Sequence, residues 1–484
     1  MDYYVGIDIG TTSTKAVAFS AKADVLSQKS YSYPILHPEQ NSSEQEPEAI
    51  LNAVINCLQQ LALQLHEFTP VLISFSSAMH SLILMDEKGN PLSNSIIWAD
   101  NRAAEIADIL KESKPGNQFY QLSGVPVHAM SPFCKLCWFK EKKPTLFYSA
   151  KKFIGIKEYV FLRLFNKYIV DTAIASATGL LNTELLQWDE NILKYAGIDK
   201  NKLSAIVPTT HIEYLPHSLP NNLLQLQAFK KTAFVIGSSD GALANLGTGA
   251  TKKGSLSITI GTSSAARLVT QQVVTDKGMR TFCYHLSGKD YIIGGASNNG
   301  AVVLQWLKEN IFQNNLPYQD FLSSAETVKA GCDGLLFLPY ILGERAPLWN
   351  SAARGVYFGL HKSHHTAHMI RAAMEAVVYN IYAIAKILME KKNINIIYAN
   401  GGFADSIFWV QLLSDMFNLP VFVPAMEESS TLGAAIVGMQ ALNIKTQFNF
   451  VNGKNYQPNI DNHKIYFKQA AKMERLYNLV KNEF

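Results

Sequence analysis

One twelve-residue pattern occurs twice in this chain, and the recurrence sets the tightest limit on how it can fold. IDIGTTSTKAVA occupies residues 7–18 and ITIGTSSAARLV occupies residues 258–269. Superposing Gly10 on Gly261 matches I-G-T-T-S to I-G-T-S-S at an offset of 251 residues, about half of the 484-residue chain. Self-similarity at that distance implies two copies of one structural unit. Each copy reads as an apolar strand, a turn of glycine and small hydroxyl residues, and a second strand. The copies differ in one telling place: Asp8 in the first stands where the second has Thr259. The length agrees, since single cores stop growing at roughly 250–300 residues. Two domains are expected, 1–248 and 249–484, with the junction near residues 245–255.

The remaining pattern alternates strands and helices. Pro47 opens a helical periodicity over 47–68, carried by Ile50, Val54, Leu58, Leu61 and Leu65. VLISFS at 71–76 reads as a buried strand. HTAHMIRAAMEAVVYNIYAIAKILMEKK at 365–392 reads as a long helix packed on a sheet. The C-terminal stretch KQAAKMERLYNLVKNEF reads as an amphipathic surface helix, and the lysines at 140–143 as a solvated face. The class is therefore α/β.

Charge and cysteine content narrow the function classes. Lys and Arg number 43 against 39 Asp and Glu, a formal charge of +4, which is no footprint for nucleic acid. The most apolar run, 71–85, is interrupted by His80 and four serines and is too short to span a bilayer. The start MDYYVGIDIG lacks the basic and apolar stretches of a signal peptide. Five cysteines suit a reducing compartment, so a cytoplasmic location is expected, with no membrane partner. Cys134 and Cys137 form a CxxC without a second pair at zinc spacing, and read as ordinary helix-face thiols.

Four segments carry chemistry. DIGTTSTK at 8–15 is a Gly-Thr turn after a strand, able to aim backbone N–H groups and hydroxyls at an anion. Its spacing is not GxxxxGK[ST], which excludes a Walker-type ATPase. Asp8 beside it could hold Mg²⁺ through water, or simply bond locally. FVIGSSDGALANLG at 234–247 puts Asp240 at the carboxyl end of a strand, where open α/β sheets place their ligands. A carboxylate there suits the base of a phosphoryl transfer, and equally an ordinary helix cap. IIYANGGFADS at 396–406 offers Gly401 and Gly402 for close approach of a flat nucleoside. Residues 77–102 supply Met79, His80, Trp98, Asp100, Asn101 and Arg102, an aromatic with hydrogen-bonding groups of the kind a polyol pocket needs.

In order along the chain stand DIGTTSTK, SAMHS, WADNR, IGSSDG, ITIGTSS, LPYILGERAPLWN, GVYFGLHKSHHTAHMIRAAME and NGGFADS. This series resembles the FGGY carbohydrate kinases from about residue 3 to residue 445. Within that family SFSSAMHS, WADNR, VHAMSP, FIGIKEY and IGGASNNG look most like the gluconate kinases. The Met79-His80 pair is shared with xylulose kinases, whereas glycerol kinases carry Arg-Glu there. The resemblance implies two actin-like (ribonuclease H-like) α/β domains with a central active-site cleft.

It also implies residue roles. Asp240 matches the catalytic base and a substrate and metal ligand, and Asp8 matches the metal-associated carboxylate. Thr11, Thr12, Ser13 and Lys15 match the first phosphate loop, and Gly261 and Thr262 the second. Ala301, Gln305, Gly402 and Ser406 match nucleotide contacts, although glycerol kinases carry Asn at the position of Ser406. Met79 and His80 match the sugar pocket. The expected cofactors are ATP and Mg²⁺, and the expected reaction is phosphorylation of gluconate at its terminal hydroxyl, with domain closure excluding water. A carboxylate on the substrate calls for a cation or several donors. The candidates are Arg102, His128, Lys135, Lys157, Asn298 and Asn299, with Arg102 and Asn299 taken as substrate ligands. A pentulose or polyol kinase, or an actin-fold sugar sensor, are the alternatives, and homodimerisation is left open.

Overall fold

The computed structural model describes residues 1–425, 428–445 and 452–484. The chain divides into two compact units. The first comprises Met1–Gly249, Thr270–Ile292 and Glu428–Asn449, and the second Ala250–Val269, Ile293–Glu427 and Phe450–Phe484.

The first unit begins with the hairpin of the first repeat. Strand β1 (Asp2–Ile9) pairs antiparallel with β2 (Ser13–Phe19), and β3 (Val25–Ser32) follows on the far side of β2. Helix α1 (Pro47–Gln64) starts at the proline and buries Ile50, Val54, Leu58 and Leu61 on this sheet, as the periodicity requires. Strand β4 (Thr69–Ser77) runs parallel to β1. Two helices carry buried lysines: α2 (Pro132–Lys142), capped by Ser131, and α3 (Ile156–Phe165). Short β5 (Ile212–Glu213) and then β6 (Ala233–Ser239) complete a six-stranded sheet in the order β5-β6-β4-β1-β2-β3. Its inward residues, among them Val5, Ile7, Ile73, Phe75 and Phe234, are wholly buried. Strand β6 runs straight into α4 (Asp240–Gly247).

Strand β6 is not regular. Its register against β4 shifts between Val235 and Ser238, around Gly237. Gly237 has φ of +70°, and a Cβ there would lie 1.8 Å from the Phe75 carbonyl oxygen. The bulge thus needs glycine, and it re-aims the strand end that leads to Asp240.

The second unit repeats the construction. Strand β7 (Ser255–Ile260) pairs antiparallel with β8 (Ser264–Thr270). Helix α5 (Thr366–Lys391) is long and apolar enough to cross a membrane, yet most of it is buried in protein, as expected for a core helix. Strand β9 (Ile396–Asn400) runs parallel to β7, followed by α6 (Ile407–Phe417) and β10 (Val421–Pro424). Helix α7 (Ser429–Ala441) belongs to the first unit, and β11 (Gly453–Tyr456) and α8 (Ile460–Val480) to the second. Five strands run side by side as β8-β7-β9-β10-β11 within a seven-stranded sheet. In both repeats the first strand of the hairpin is also paired in parallel with a later strand. The terminal helix α8 is less solvated than its sequence implies: Tyr466, Met473, Leu476 and Tyr477 are buried, and the Tyr466 hydroxyl meets the buried Arg371 guanidinium. Cys134 and Cys137 are free, buried thiols on α2, and burial pushes Cys134 up to about 11.

Candidate active site

Parallel pairing fixes the candidate residues of the first unit. Asp8 is in register with Ser76 of β4, and Ser238 of β6 is in register with the same Ser76. Strands β1, β4 and β6 therefore end together, delivering Asp8 with its Gly-Thr turn, the Met79-His80 pair, and Asp240. Asp8 and the end of β6 stand two strand spacings apart, about 10 Å. Asp240 is the first residue of α4, with Ser239 at the cap position, and its Oδ1 accepts the Gly241 amide at 2.6 Å.

Asp8 is partly buried, and desolvation raises its carboxyl above the usual range. Two hydroxyls oppose that shift: Ser76 donates to Oδ1 at 2.7 Å and Ser430 to Oδ2 at 2.9 Å. Across the hairpin, Lys15 pairs with Glu428 at 2.8 Å. The turn itself is braced from behind. The Tyr33 hydroxyl donates to Gly10 O at 2.8 Å, Gln45 Nε2 donates to Thr11 O, and Trp98 Nε1 donates to Thr11 Oγ1 at 2.9 Å. Thr12 stays exposed and Ser13 opens β2. Trp98 thus brings the first phosphate-type turn and the WADNR segment into contact.

Met79 packs beside Ile174, Ala175 and Leu181. His80 is buried at a left-handed φ of +70°, and its Nδ1 lies 2.8 Å from Ala177 O. A carbonyl accepts only, so Nδ1 carries the proton, and in the neutral ring Nε2 is the acceptor. Several of the expected cationic ligands are occupied by protein. Arg102 grips Asp100 through Nε and Nη2 and also bonds Glu44, and these carboxylates hold its guanidinium above its ordinary value against the effect of burial. Lys135 donates to the carbonyls of His80 (2.6 Å), Ile97 (2.8 Å) and Ile96 (3.1 Å). Burial pulls it down to about 7, while three carbonyl acceptors favour its charged form. Lys157 lies 2.6 Å from Asp171.

The second unit carries the other turn. Gly261 N is bonded to Ser263 O at 2.9 Å, and Ala301 N donates to Gly261 O at 2.7 Å. Gly300 N reaches Thr262 O at 3.1 Å, so Gly261, Thr262 and Ala301 form one surface. Gly401 and Gly402 follow β9, whose Asn400 is in register with Thr259, so they lie at the same sheet edge. Thr259, at the place of Asp8, accepts a hydrogen bond from Arg267 at 3.3 Å. Gln305 lies one turn beyond Ala301 and bonds Glu309. Ser406 caps α6, accepting the Trp409 amide at 3.3 Å. Asn299 is buried, donating to Gly343 O at 2.7 Å and to Glu344 at 3.2 Å. Among the described residues no three His, Cys, Asp or Glu side chains gather as a metal-binding group.

Comparison with known proteins places this geometry. The N-terminal domain of the FGGY family of carbohydrate kinases matches residues 3–247, and the C-terminal domain of that family matches residues 256–442. The chain belongs to the FGGY family of carbohydrate kinases. It is 44% identical to the gluconokinase of Bacillus subtilis (strain 168), over all of this chain and 97% of the relative. A crystal structure of gluconate kinase from Lactobacillus acidophilus superposes with a TM-score of 0.93 at 34% identity, covering 99% of this chain and 98% of that one. A ligand-bound xylulose kinase from the same organism gives the same TM-score and identity, covering 99% of each. As an FGGY kinase the chain is a phosphotransferase acting on an alcohol group. The two-domain, actin-like α/β class read from the sequence is the class of these FGGY structures.

The residues that sequence reasoning misses are those that hold the others. Ser430 is 422 positions from Asp8, and nothing in either segment announces the contact. Ser76 sits in a serine-rich strand end, a weak signal. Lys135 and Lys157 stand out as cations, but their carbonyl partners have no sequence signature.

Proposed function

We propose that this kinase transfers the γ-phosphoryl group of ATP to the terminal hydroxyl of D-gluconate, giving 6-phosphogluconate, with Asp240 as general base. The observation that carries this reading is the position of Asp240 at the bulged end of β6, two strands from Asp8. Full-length identity of 44% to a gluconokinase supports the choice of sugar acid.

In this reading residues 1–248 hold the sugar acid and residues 249–484 hold the nucleotide. Asp240 orients the terminal hydroxyl and accepts its proton as the new P–O bond forms. His80 Nε2 accepts from a sugar hydroxyl, and Met79 supplies apolar contact. Backbone N–H groups and hydroxyls of Thr11, Thr12 and Ser13 in the first unit, and those of Gly261 and Thr262 in the second, are each able to bind phosphate oxygens. Lys15 neutralises phosphate charge by exchanging Glu428 for the anion. Ala301, Gln305, Gly402 and Ser406 border the nucleoside, with Ser406 acting as the cap that fixes the start of α6. Arg102 and Asn299 border the substrate through the segments they brace. Asp8 and Asp240 offer oxygen donors only, which fits Mg²⁺, an ion that takes one or two carboxylates and keeps its waters. When bound, that ion supplies positive charge to the phosphoryl oxygens.

An ADP-release assay coupled to NADH oxidation, run on gluconate, xylulose, ribulose and glycerol, tests the proposal. Gluconate is expected to give the highest kcat/KM. The second reading, a pentulose kinase, rests on the equal likeness to xylulose kinase, and turnover of xylulose without gluconate would establish it instead. No turnover on any sugar would favour a sensor.

A further inference from the structure

Lys135 lies on α2 and is wholly buried. Its ammonium has three hydrogens and meets three carbonyls, those of His80, Ile96 and Ile97, at 2.6 to 3.1 Å. These partners are neutral, so Lys135 is not one arm of a buried ion pair. The shortest of its bonds is to His80 itself, whose φ of +70° is a backbone conformation that bulky residues rarely keep without external support. The other two carbonyls belong to the residues immediately before Trp98, which in turn holds Thr11 at 2.9 Å. One cation therefore ties two walls that are separated in sequence, the Met79-His80 turn and the Trp98–Arg102 segment.

We propose that Lys135 is a positioning residue for the sugar pocket, a three-pronged clamp that holds His80 and Trp98 in the geometry that receives the substrate. It is not a ligand of the substrate carboxylate, because its three N–H bonds already point into the protein. This inference rests on the assignment of Met79 and His80 to the sugar pocket.

The test compares wild type with K135M, which keeps the length and removes every donor, and K135Q, which keeps two donors without charge. The sugar is whichever of gluconate and xylulose the wild type phosphorylates, so a wrong choice of sugar shows in the wild type alone. The expected result for K135M is a KM for the sugar raised about tenfold or more, with KM for ATP within about twofold, and K135Q intermediate. A lowered Tm with an unchanged sugar KM in either folded variant would overturn the proposal and leave Lys135 a purely structural residue. A second readout needs no turnover and serves even if K135M is insoluble. The Trp98 indole N–H resonance, assigned with W98F, should exchange with solvent faster in K135Q than in wild type, and equal exchange would also overturn the clamp.

Discussion

Lys157 Nζ stands 2.6 Å from a carboxylate oxygen of Asp171, and both side chains are buried. The same ammonium donates to Ile236 O at 3.2 Å and Ser238 O at 3.0 Å, the carbonyls that flank the Gly237 bulge. The bulge removes regular ladder partners, and the cation replaces them two residues before Asp240. Asp171 in turn caps a short helix through the Ala173 and Ile174 amides. Removing the cation alone strands a buried carboxylate, so Lys157→Met is expected to destabilise by about 3–5 kcal/mol. Adding Asp171→Asn, which keeps the cap and removes the charge, should recover part of that loss. Urea midpoints of the two variants decide it, and equal midpoints would refute the pair as the cause.

Asp240→Asn keeps size and the bond from the Gly241 amide but cannot take a proton. It is expected to fold with wild-type circular dichroism and Tm while kcat falls about 10²–10⁴-fold, the range for loss of a general base. Wild-type-like turnover would remove Asp240 from that role.

Burial raises the Glu158 carboxyl to about 7, against the hydrogen bond it accepts from the Gly155 amide. In the unfolded chain a glutamate titrates near ~4.3. Between these values the folded protein keeps a proton that the unfolded chain has lost. The stabilisation is complete below the unfolded value and disappears as pH rises through the folded one. Urea unfolding should therefore show stability falling between about pH 4.5 and pH 7, a slope that Glu158→Gln flattens. Identical slopes in both proteins would count against the shifted carboxyl.

Helices α4 and α7 touch backbone to backbone. A Cβ on Gly433 would lie 2.0 Å from Leu243 O, and one on Gly247 would lie 1.8 Å from Ser429 O. Gly433→Ala must push the helices apart, at a cost of about 1–3 kcal/mol for overpacking. It also moves Ser430, on the same helix, away from Asp8. A lower Tm together with lower kcat is expected, and a variant matching wild type in both would contradict the tight crossing.

Much of the candidate site is legible in the sequence. The Gly10 and Gly261 turns, Asp240 after an apolar run, and the Gly401-Gly402 turn all fall where strand and turn chemistry put them, because each depends on a few consecutive residues. Arg102 shows where such reading stops. Its residue type suits a substrate carboxylate, yet the fold brings residue 44 beside residue 100 and gives the guanidinium Asp100 and Glu44 instead. Asn299 is similar, since its amide is held by Gly343 and Glu344.

The sequence by itself determined the local grammar: two copies of a strand-turn-strand unit, the α/β class, the family, and which carboxylates lie at strand ends. These follow from periodicity, turn residues and short motifs, all of which act over neighbouring positions. Tertiary structure alone decided how the side chains are used. Burial in a low-dielectric core makes an unpaired charge or polar group costly, so these side chains take partners wherever the fold brings one near. That is why Lys135 meets backbone carbonyls, Lys157 meets Asp171, and Asp8 is held by a serine from the far end of the chain.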